Sequence, residues 1–448
     1  MTTSFKQFIA TSIYDNVLQS NLSSFHSNVF KRIINSCEIF ENLELAKKRA
    51  SYIKWKITEN LDKHLIDFEA NIIKKGGKVI WATNAAEANN EVLSILKRYD
   101  SNKLFNGKSL ISDEIGLNDF LKNEKVEVVN SAIDDFLLNS LNTQRNDAVY
   151  TTAFLNFTEV RQKLNSTIKA SLEADKQELL EDIVSYIFSE IKNIKVAVSA
   201  ANFAISESGQ IVILNNEGGS YFADAFARCH IILTPIDCLI NSINDIDLFL
   251  SLYATHSEGQ AISSYNQIIG PKHYEDNDGP EEFVVILIDN GRSDLMQFIN
   301  QRQALHCINC GACNHACPVY TKLPHQSYPY PIGGPISVVK NIINDNKDDF
   351  NYASTSCGNC NNICPVNIDV QNLIIHNRKE SNTSSAEKLS WYTWKKFVLN
   401  RKNMNGKSSI KNFTIKQFFK SSWGNNKELP SAEPKTFNQL YREQNNIK

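Results

Sequence analysis

Cys307, Cys310, Cys313 and Cys317 follow one another as C-x2-C-x2-C-x3-C with Pro318 behind them. Further along, Cys357, Cys360 and Cys364 repeat the end of that run as C-x2-C-x3-C, with Pro365 behind. Two-residue gaps let three thiolates converge on one iron-sulfur cubane, while the cysteine before the proline reaches a second one. Small residues at Gly311 and Ala312 let intervening N–H groups approach the cluster sulfides. Pro318 disfavours helical geometry at Cys317 and removes a donor, which turns that thiolate away from its neighbours. Tetrahedral zinc sites also use C-x2-C pairs. Two zinc ions would call for two full sets of four ligands, however, and neither the tight triple nor the Cys-Pro endings resemble a zinc ribbon.

Aligning the two Cys-Pro ends sets Ser354 opposite Cys307. By the exchange rule of two-cluster ferredoxins, the first cluster takes Cys307, Cys310, Cys313 and Cys364, and the second takes Cys317, Cys357 and Cys360. The second set is one thiolate short. Ser354 as an alkoxide, the imidazole of His306, His315 or His325, or water on the fourth iron could complete it, or that iron could be absent. Oxygen is a poorer ligand than thiolate for so soft a site, so a 3Fe-4S form is expected on oxidation. One fewer thiolate also means less negative charge and a higher reduction potential. Two clusters that exchange a ligand lie close enough to pass single electrons. Two-electron chemistry on an organic substrate needs a further component.

The elements that position these cysteines can be read from periodicity. Residues 1–75 carry apolar residues at spacings of three and four, as in "SYIKWKITENLDKHLIDFEANI", and read as a helical region. From 76 to 299, short β-rich runs alternate with amphipathic helical stretches. They begin with "GGKVIWATNAAEANNEVLSILKRY" and continue through "KSLISDEIGLNDFLKNE", "VEVVNSAIDDFLLNSL" and "DAVYTTAFLNFTEVRQKL". That alternation predicts an α/β domain with an open, mainly parallel sheet. "KVAVSAANFAISESGQIVILNNEGGS" reads as strand, turn, strand and glycine loop, and "EEFVVILIDNGRSDLMQFI" as a buried strand feeding a helix. Residues 300–380 form a mainly helical two-cluster ferredoxin module, with Pro335 in the first turn of the helix between the motifs. Residues 381–448 comprise the helix "AEKLSWYTWKKFVLN", whose Trp391 and Trp394 are expected to pack, and a polar tail whose last twenty-odd residues are expected to be loosely held.

Composition narrows the classes. The chain has 448 residues, 42% hydrophobic and 21% charged, with a formal charge of -2. That balance suits a soluble globular protein of two or three domains and lacks the cationic surplus of a polyanion binder. The N-terminal "MTTSFKQFIATSIYDNV" has no secretory pattern and no apolar run reaches the ~20 residues of a membrane span, so a cytoplasmic location is expected. Cysteines gathered in two motifs fit that compartment better than a disulfide framework does. Cys37, Cys229 and Cys238 are expected to be buried, inert thiols.

With both motifs in place, residues 45–400 resemble the lactate utilization protein B family, the iron-sulfur component of a three-protein bacterial L-lactate oxidation system. The resemblance is carried by "KSLISDEIGLNDFL", "ANFAISESGQIVILNNEGG", "GPEEFVVILIDNGRS", "QALHCINCGACNHACPVY" and "YASTSCGNCNNICPVNIDV". It implies two 4Fe-4S clusters on the cysteines assigned above, with serine the family residue at the vacant place. It also implies an α/β (LUD) domain similar in fold to CoA transferases and sugar-phosphate isomerases. The implied partners resemble lactate utilization proteins A and C, and the implied role is an electron-transfer subunit of an L-lactate dehydrogenase or oxidase-type complex that supports growth on L-lactate. The chain departs from its relatives at Phe154 and Leu155, where a histidine is usual, and in "KLPHQSYPYPIGGP". Two other functions compete. One is an acyl-handling, CoA-transferase-like enzyme with structural clusters and Glu217 as nucleophile, against which "NNEGG" reads as a tight turn at Gly218 and Gly219. The other is an electron adaptor for a different dehydrogenase. Lys108, Asp113 and Glu114 are candidate pocket groups, with solvated loop charges as the plainer reading. No G-x-G-x-x-G opens a helix after a strand, so no nicotinamide or flavin fingerprint is present.

Overall fold

A computed structural model describes residues 13–14, 16–107, 109–133, 135–137, 157–192, 194–216, 218–272, 278–323, 333–340, 351, 353–380 and parts of 388–446. The chain divides into two compact units, residues 1–380 and 381–448. Three helices open the first, α1 (Asn16–Ser36), α2 (Leu43–Thr58) and α3 (Leu61–Lys74). The α/β part follows as β1 (Lys78–Ala82), α4 (Ala85–Arg98), β2 (Lys103–Asn106), α5 (Leu110–Glu114), α6 (Leu117–Asn123), β3 (Glu127–Asn130), α7 (Phe157–Ile168), α8 (Lys176–Ile191) and β4 (Val196–Ala200). It continues through β5 (Phe203–Ile205), β6 (Gln210–Asn215), α9 (Gly219–Phe226), β7 (Cys229–Pro235), β8 (Leu239–Ile240), α10 (Ile246–Ser257), β9 (Tyr265–Ile269), β10 (Glu282–Ile288) and α11 (Arg292–Met296). Short helices α12 (Ala312–Ala316), α13 (Gly334–Lys340), α14 (Asn359–Ile363) and α15 (Val370–Glu380) carry the cysteine motifs.

The main sheet has six strands in the order β1-β10-β7-β4-β2-β3, every pair parallel. Strands buried on both faces are apolar throughout, as "CHIILTP" and "EFVVILI" show. Alternation sorts their side chains: Val284, Ile286 and Ile288 of β10 face α4 and α6, while Phe283, Val285 and Leu287 enter a core on the opposite side. The β2 and β4 end of that opposite side is covered by α8, whose Leu179, Ile183, Ile187 and Ile191 recur every fourth residue behind an Asp175–Glu178 capping box. A second sheet, β8-β5-β6-β9, mixes one parallel and two antiparallel pairings. One apolar core joins this small sheet, α1 to α3 and the cysteine module. The fold is therefore the expected α/β domain with a mainly parallel sheet, followed by a helical ferredoxin-like region.

Three expectations shift. "LISDE" is helix α5 and not a strand, because the Ser109 hydroxyl accepts from Ser112 N–H and caps a turn there; the strand lies earlier, at Lys103–Asn106. The run "DAVYTTAF", with Phe154 and Leu155, lies outside the described residues, as do His325, Glu217, Lys108 and Trp391. In the second unit, Trp394 is exposed, and the polar tail contains two helices not expected there, α16 (Ser408–Trp423) and α17 (Phe437–Gln444), the latter opened by a Thr436–Gln439 capping box.

Candidate metal centre

Both motifs are built on one backbone pattern. Asn309 and Ser356 take left-handed conformations at φ 57° and 56°, and Gly311 and Gly358 follow at 78° and 82°. Each glycine starts a five-residue helix, α12 or α14, which ends on Cys317 or Cys364 in extended geometry before the proline. Without a Cβ, glycine enters that conformation freely, so the chain can fold back between two ligands. Cys313 and Cys360 each lie 3.6 Å from the amide oxygen of the following asparagine, Asn314 or Asn361.

The equivalence extends to the vacant place. Asn309 N–H donates to Cys307 Sγ at 3.4 Å, and Ser356 N–H donates to Ser354 Oγ at 3.1 Å, so the Ser354 hydroxyl occupies the turn position of the Cys307 thiol. Arg378 of α15 secures this loop by donating to the carbonyls of Asn351 and Ser354 and, at 3.0 Å, to Ser356 Oγ. His315 faces His26, Nδ1 to Nδ1 at 2.9 Å, and His306 is buried with Nδ1 lacking a hydrogen-bond partner among the described residues.

Cys307, Cys310, Cys313 and Cys364 line one cavity, closed by Ile308, Ile336, Val366, Ile368 and Val370, with Cys360 also on its wall. Cys310, Cys317, Cys360 and Cys364 are buried, Cys307 and Cys313 half-buried and Cys357 exposed. Backbone N–H groups point at the sulfurs, Ile368 to Cys364 at 3.4 Å and Tyr320 to Cys317 at 3.5 Å. Burial pushes the Cys360 thiol up to about 12, with Cys317 and Cys357 adding to the rise. Cys364 is raised to about 11 by burial, with Cys307 adding, and Cys310 and Cys313 are raised further for the same reasons. Thiols so placed stay protonated alone and lose their protons to bound metal. A soft, mostly buried thiolate set with N–H donors aimed at sulfur fits an iron-sulfur cluster. Among the described residues, no three His, Cys, Asp or Glu side chains converge as closely as one metal ion requires.

The remaining candidates have structural partners. Cys229 and Cys238 are buried and raised to about 12 by desolvation. Cys37 is only half-buried, its sulfur 3.8 Å from His256 Nε2. Glu114 is neither solvated nor free: Arg292 holds both its oxygens, at 2.7 and 2.8 Å. Arg292 also reaches Asp237 at 2.7 Å, and Lys340 of α13 reaches the other Asp237 oxygen at 2.8 Å. Burial works to raise the Asp237 carboxyl, but Lys340 and Arg292 overcome it and hold it well below the carboxylate range. Gly218 adopts φ 72°, and a Cβ on Gly219 would run into Ser131, so "NNEGG" ends in a turn that closes on β3. Sequence reading missed Arg378, Asp237, Lys47 and Lys54. The lysines had left a signal, since they fall on the same stripe of α2 as Ala50 and Ile57.

Residues 65–288 match the LUD domain family, and residues 303–368 match the 4Fe-4S dicluster domain. Lactate utilization protein B of Bacillus cytotoxicus is 26% identical over 396 residues, covering 86% of this chain and 83% of its own. The proteins of that name from Bacillus thuringiensis and Bacillus cereus are 27% identical over the same shares. A crystal structure of a DUF162 family protein from Deinococcus radiodurans aligns with 51% of this chain and 98% of its own at 13% identity, with a TM-score of 0.30. Among the described residues, no helix is long and apolar enough to cross a membrane. On the match that spans half its length, this chain belongs to the LUD domain family, with a 4Fe-4S dicluster domain following the LUD domain.

Proposed function

We propose that this protein is an iron-sulfur electron-transfer component of L-lactate utilization, taking electrons released as L-lactate becomes pyruvate in a complex with proteins resembling lactate utilization proteins A and C. The observation that carries the reading is the cavity that gathers Cys307, Cys310 and Cys313 of one motif with Cys364 of the other. These four hold the first 4Fe-4S cluster. Cys317, Cys357 and Cys360 hold the second, with Ser354 at the fourth place; the part that Cys317 and Cys357 take in raising the Cys360 thiol supports that grouping. When bound, the clusters supply one-electron transfer, and oxidation of lactate releases two electrons and two protons. The chain's own residues keep water from the first site with Ile308, Ile336 and Val370, and leave Cys357 at the surface where a partner can approach.

Protein purified without air should contain two clusters, and L-lactate should reduce them only when the two partner proteins are added. A strain lacking this gene and any other lactate dehydrogenase should fail to grow on L-lactate as sole carbon source. Undiminished growth, or clusters that stay oxidised in the full mixture, would sink the proposal.

A further inference from the structure

Helix α2 carries Lys47 and Lys54 two turns apart on one stripe, about 10 Å along the axis. Their relative exposures are 4% and 1%. Among the described residues neither ammonium meets a carboxylate: Lys47 donates to the Asn362 carbonyl at 2.9 Å, and Lys54 to the carbonyls of Asp237 and Leu239 at 2.6 and 3.3 Å. The Asp237 carboxylate lies within electrostatic reach of Lys54 but is already held by Arg292 and Lys340, and Arg292 is shared with Glu114. Lys54, Arg292 and Lys340 thus stand against two carboxylates, and Lys47 adds a second positive charge over.

An ammonium buried against carbonyls alone keeps most of its desolvation cost, so a surplus of this kind calls for a negative partner. The partner is indicated by position. Lys47 holds the carbonyl of Asn362, two residues before Cys364, and α2 packs on the turn Gln301–His306 that leads into Cys307, so the two lysines stand beside segments that carry two cysteines of the cavity from different motifs. We propose that Lys47 and Lys54 are built-in counter-cations of the first cluster, offsetting the net negative charge of a cubane with four thiolates and raising its reduction potential. This rests on the proposed assignment of Cys307, Cys310, Cys313 and Cys364 to one cluster. The charge is the functional element, and the donated hydrogen bonds are secondary.

The test uses the full chain with Lys54→Met, Lys54→Gln, Lys47→Met and Lys47→Gln, each both cluster-free and reconstituted without air. Potentials are read by redox titration with paramagnetic resonance detection. Both Met and Gln forms should shift the first cluster to a more negative potential, and the double variant Lys47→Met/Lys54→Met further still. Cluster-free Met variants should melt above cluster-free wild type, because an unbalanced buried charge is gone, whereas the loaded ones should melt below loaded wild type. A Gln variant with wild-type potential would show that only a donor is needed, and a cluster-free Met variant that melts lower would equally overturn the role. Where a variant fails to load, its cluster-free melting decides. A wild-type chain that binds no cubane on these cysteines overturns the cluster assignment itself, and its iron content tells that failure apart.

Discussion

A hydroxyl standing in a thiol's place changes how firmly an iron is held. Ser354 Oγ receives the Ser356 N–H as Cys307 Sγ receives the Asn309 N–H, so the loop already has the geometry of a ligand turn. Ser354→Cys should therefore complete the second set without moving the chain. Air-exposed wild-type protein is expected to show the resonance signal of a 3Fe-4S centre, converted to 4Fe-4S by iron and reductant. The variant should suppress that signal and lower the potential of the second cluster. Identical oxidised spectra and potentials would mean that another strong ligand fills the place. A second residue sets a pH limit. Burial holds the His256 imidazole down to about 4, with Lys47 adding to the effect, while the unfolded chain titrates near the ordinary value of ~6.5. Its neutral form is favoured by folding, so this contribution is full above pH ~6.5 and is lost as pH falls toward 4, roughly 3 kcal/mol in all. Denaturant unfolding of cluster-free protein at several pH values should show that loss, and His256→Gln should flatten it. The cysteine spacing made the ligand candidates legible because iron-sulfur coordination dictates residue type. The buried lysines left only the trace of their stripe on α2, and Asp237 and Arg378 left none, because a lone charge in sequence does not reveal the carbonyl, carboxylate or thiol it will meet.

At the scale of elements, the carboxyl ends of the parallel strands are tied to the cysteine module by charge. Asp237 follows β7, Arg292 follows β10, and Lys340 ends α13 in the module. Asp237→Asn strips the buried Lys340 of its carboxylate and leaves Arg292 with Glu114 alone, and unpairing a buried cation typically costs about 3 to 5 kcal/mol. Its thermal midpoint should fall well below wild type; a midpoint within a degree or two would show that Arg292 and Lys340 find other acceptors. Strand β10 was readable because "VVILI" is apolar throughout and leaves no alternation to misread, whereas the central strand β7 was passed over. "LISDE" was misread because an apolar pair after Ser109 looks the same whether it opens a strand or a capped helical turn. The second sheet was only half visible, since β8 is two residues long and β9 alternates weakly.

For the molecule as a whole, one core contains Ile33 of α1, Leu239 of the small sheet and Cys310, Cys317 and Cys364 of the module. Ile33 is fully buried, and Ile33→Ala should cost about 2 to 5 kcal/mol. Loss of circular dichroism and bleaching of the cluster absorbance should move down in temperature together in that variant. Separate transitions would mean that the module melts on its own. No periodicity announced this arrangement, because the contacts join residues far apart in the chain.

The place of α1 bears on how the protein is made. Its Gln19 donates to the Lys322 carbonyl, Lys322 donates back to Ser23, and His26 meets His315, so an early helix rests on a part of its unit that leaves the ribosome much later. Until roughly three hundred residues have followed (Gln19 and Lys322 are 303 positions apart), the Gln19, Ser23 and His26 face of α1 has no module to pack on in a growing chain. Closing of α1 and assembly of the cysteine cavity therefore both wait for the same distant stretch of chain, residues 307–364.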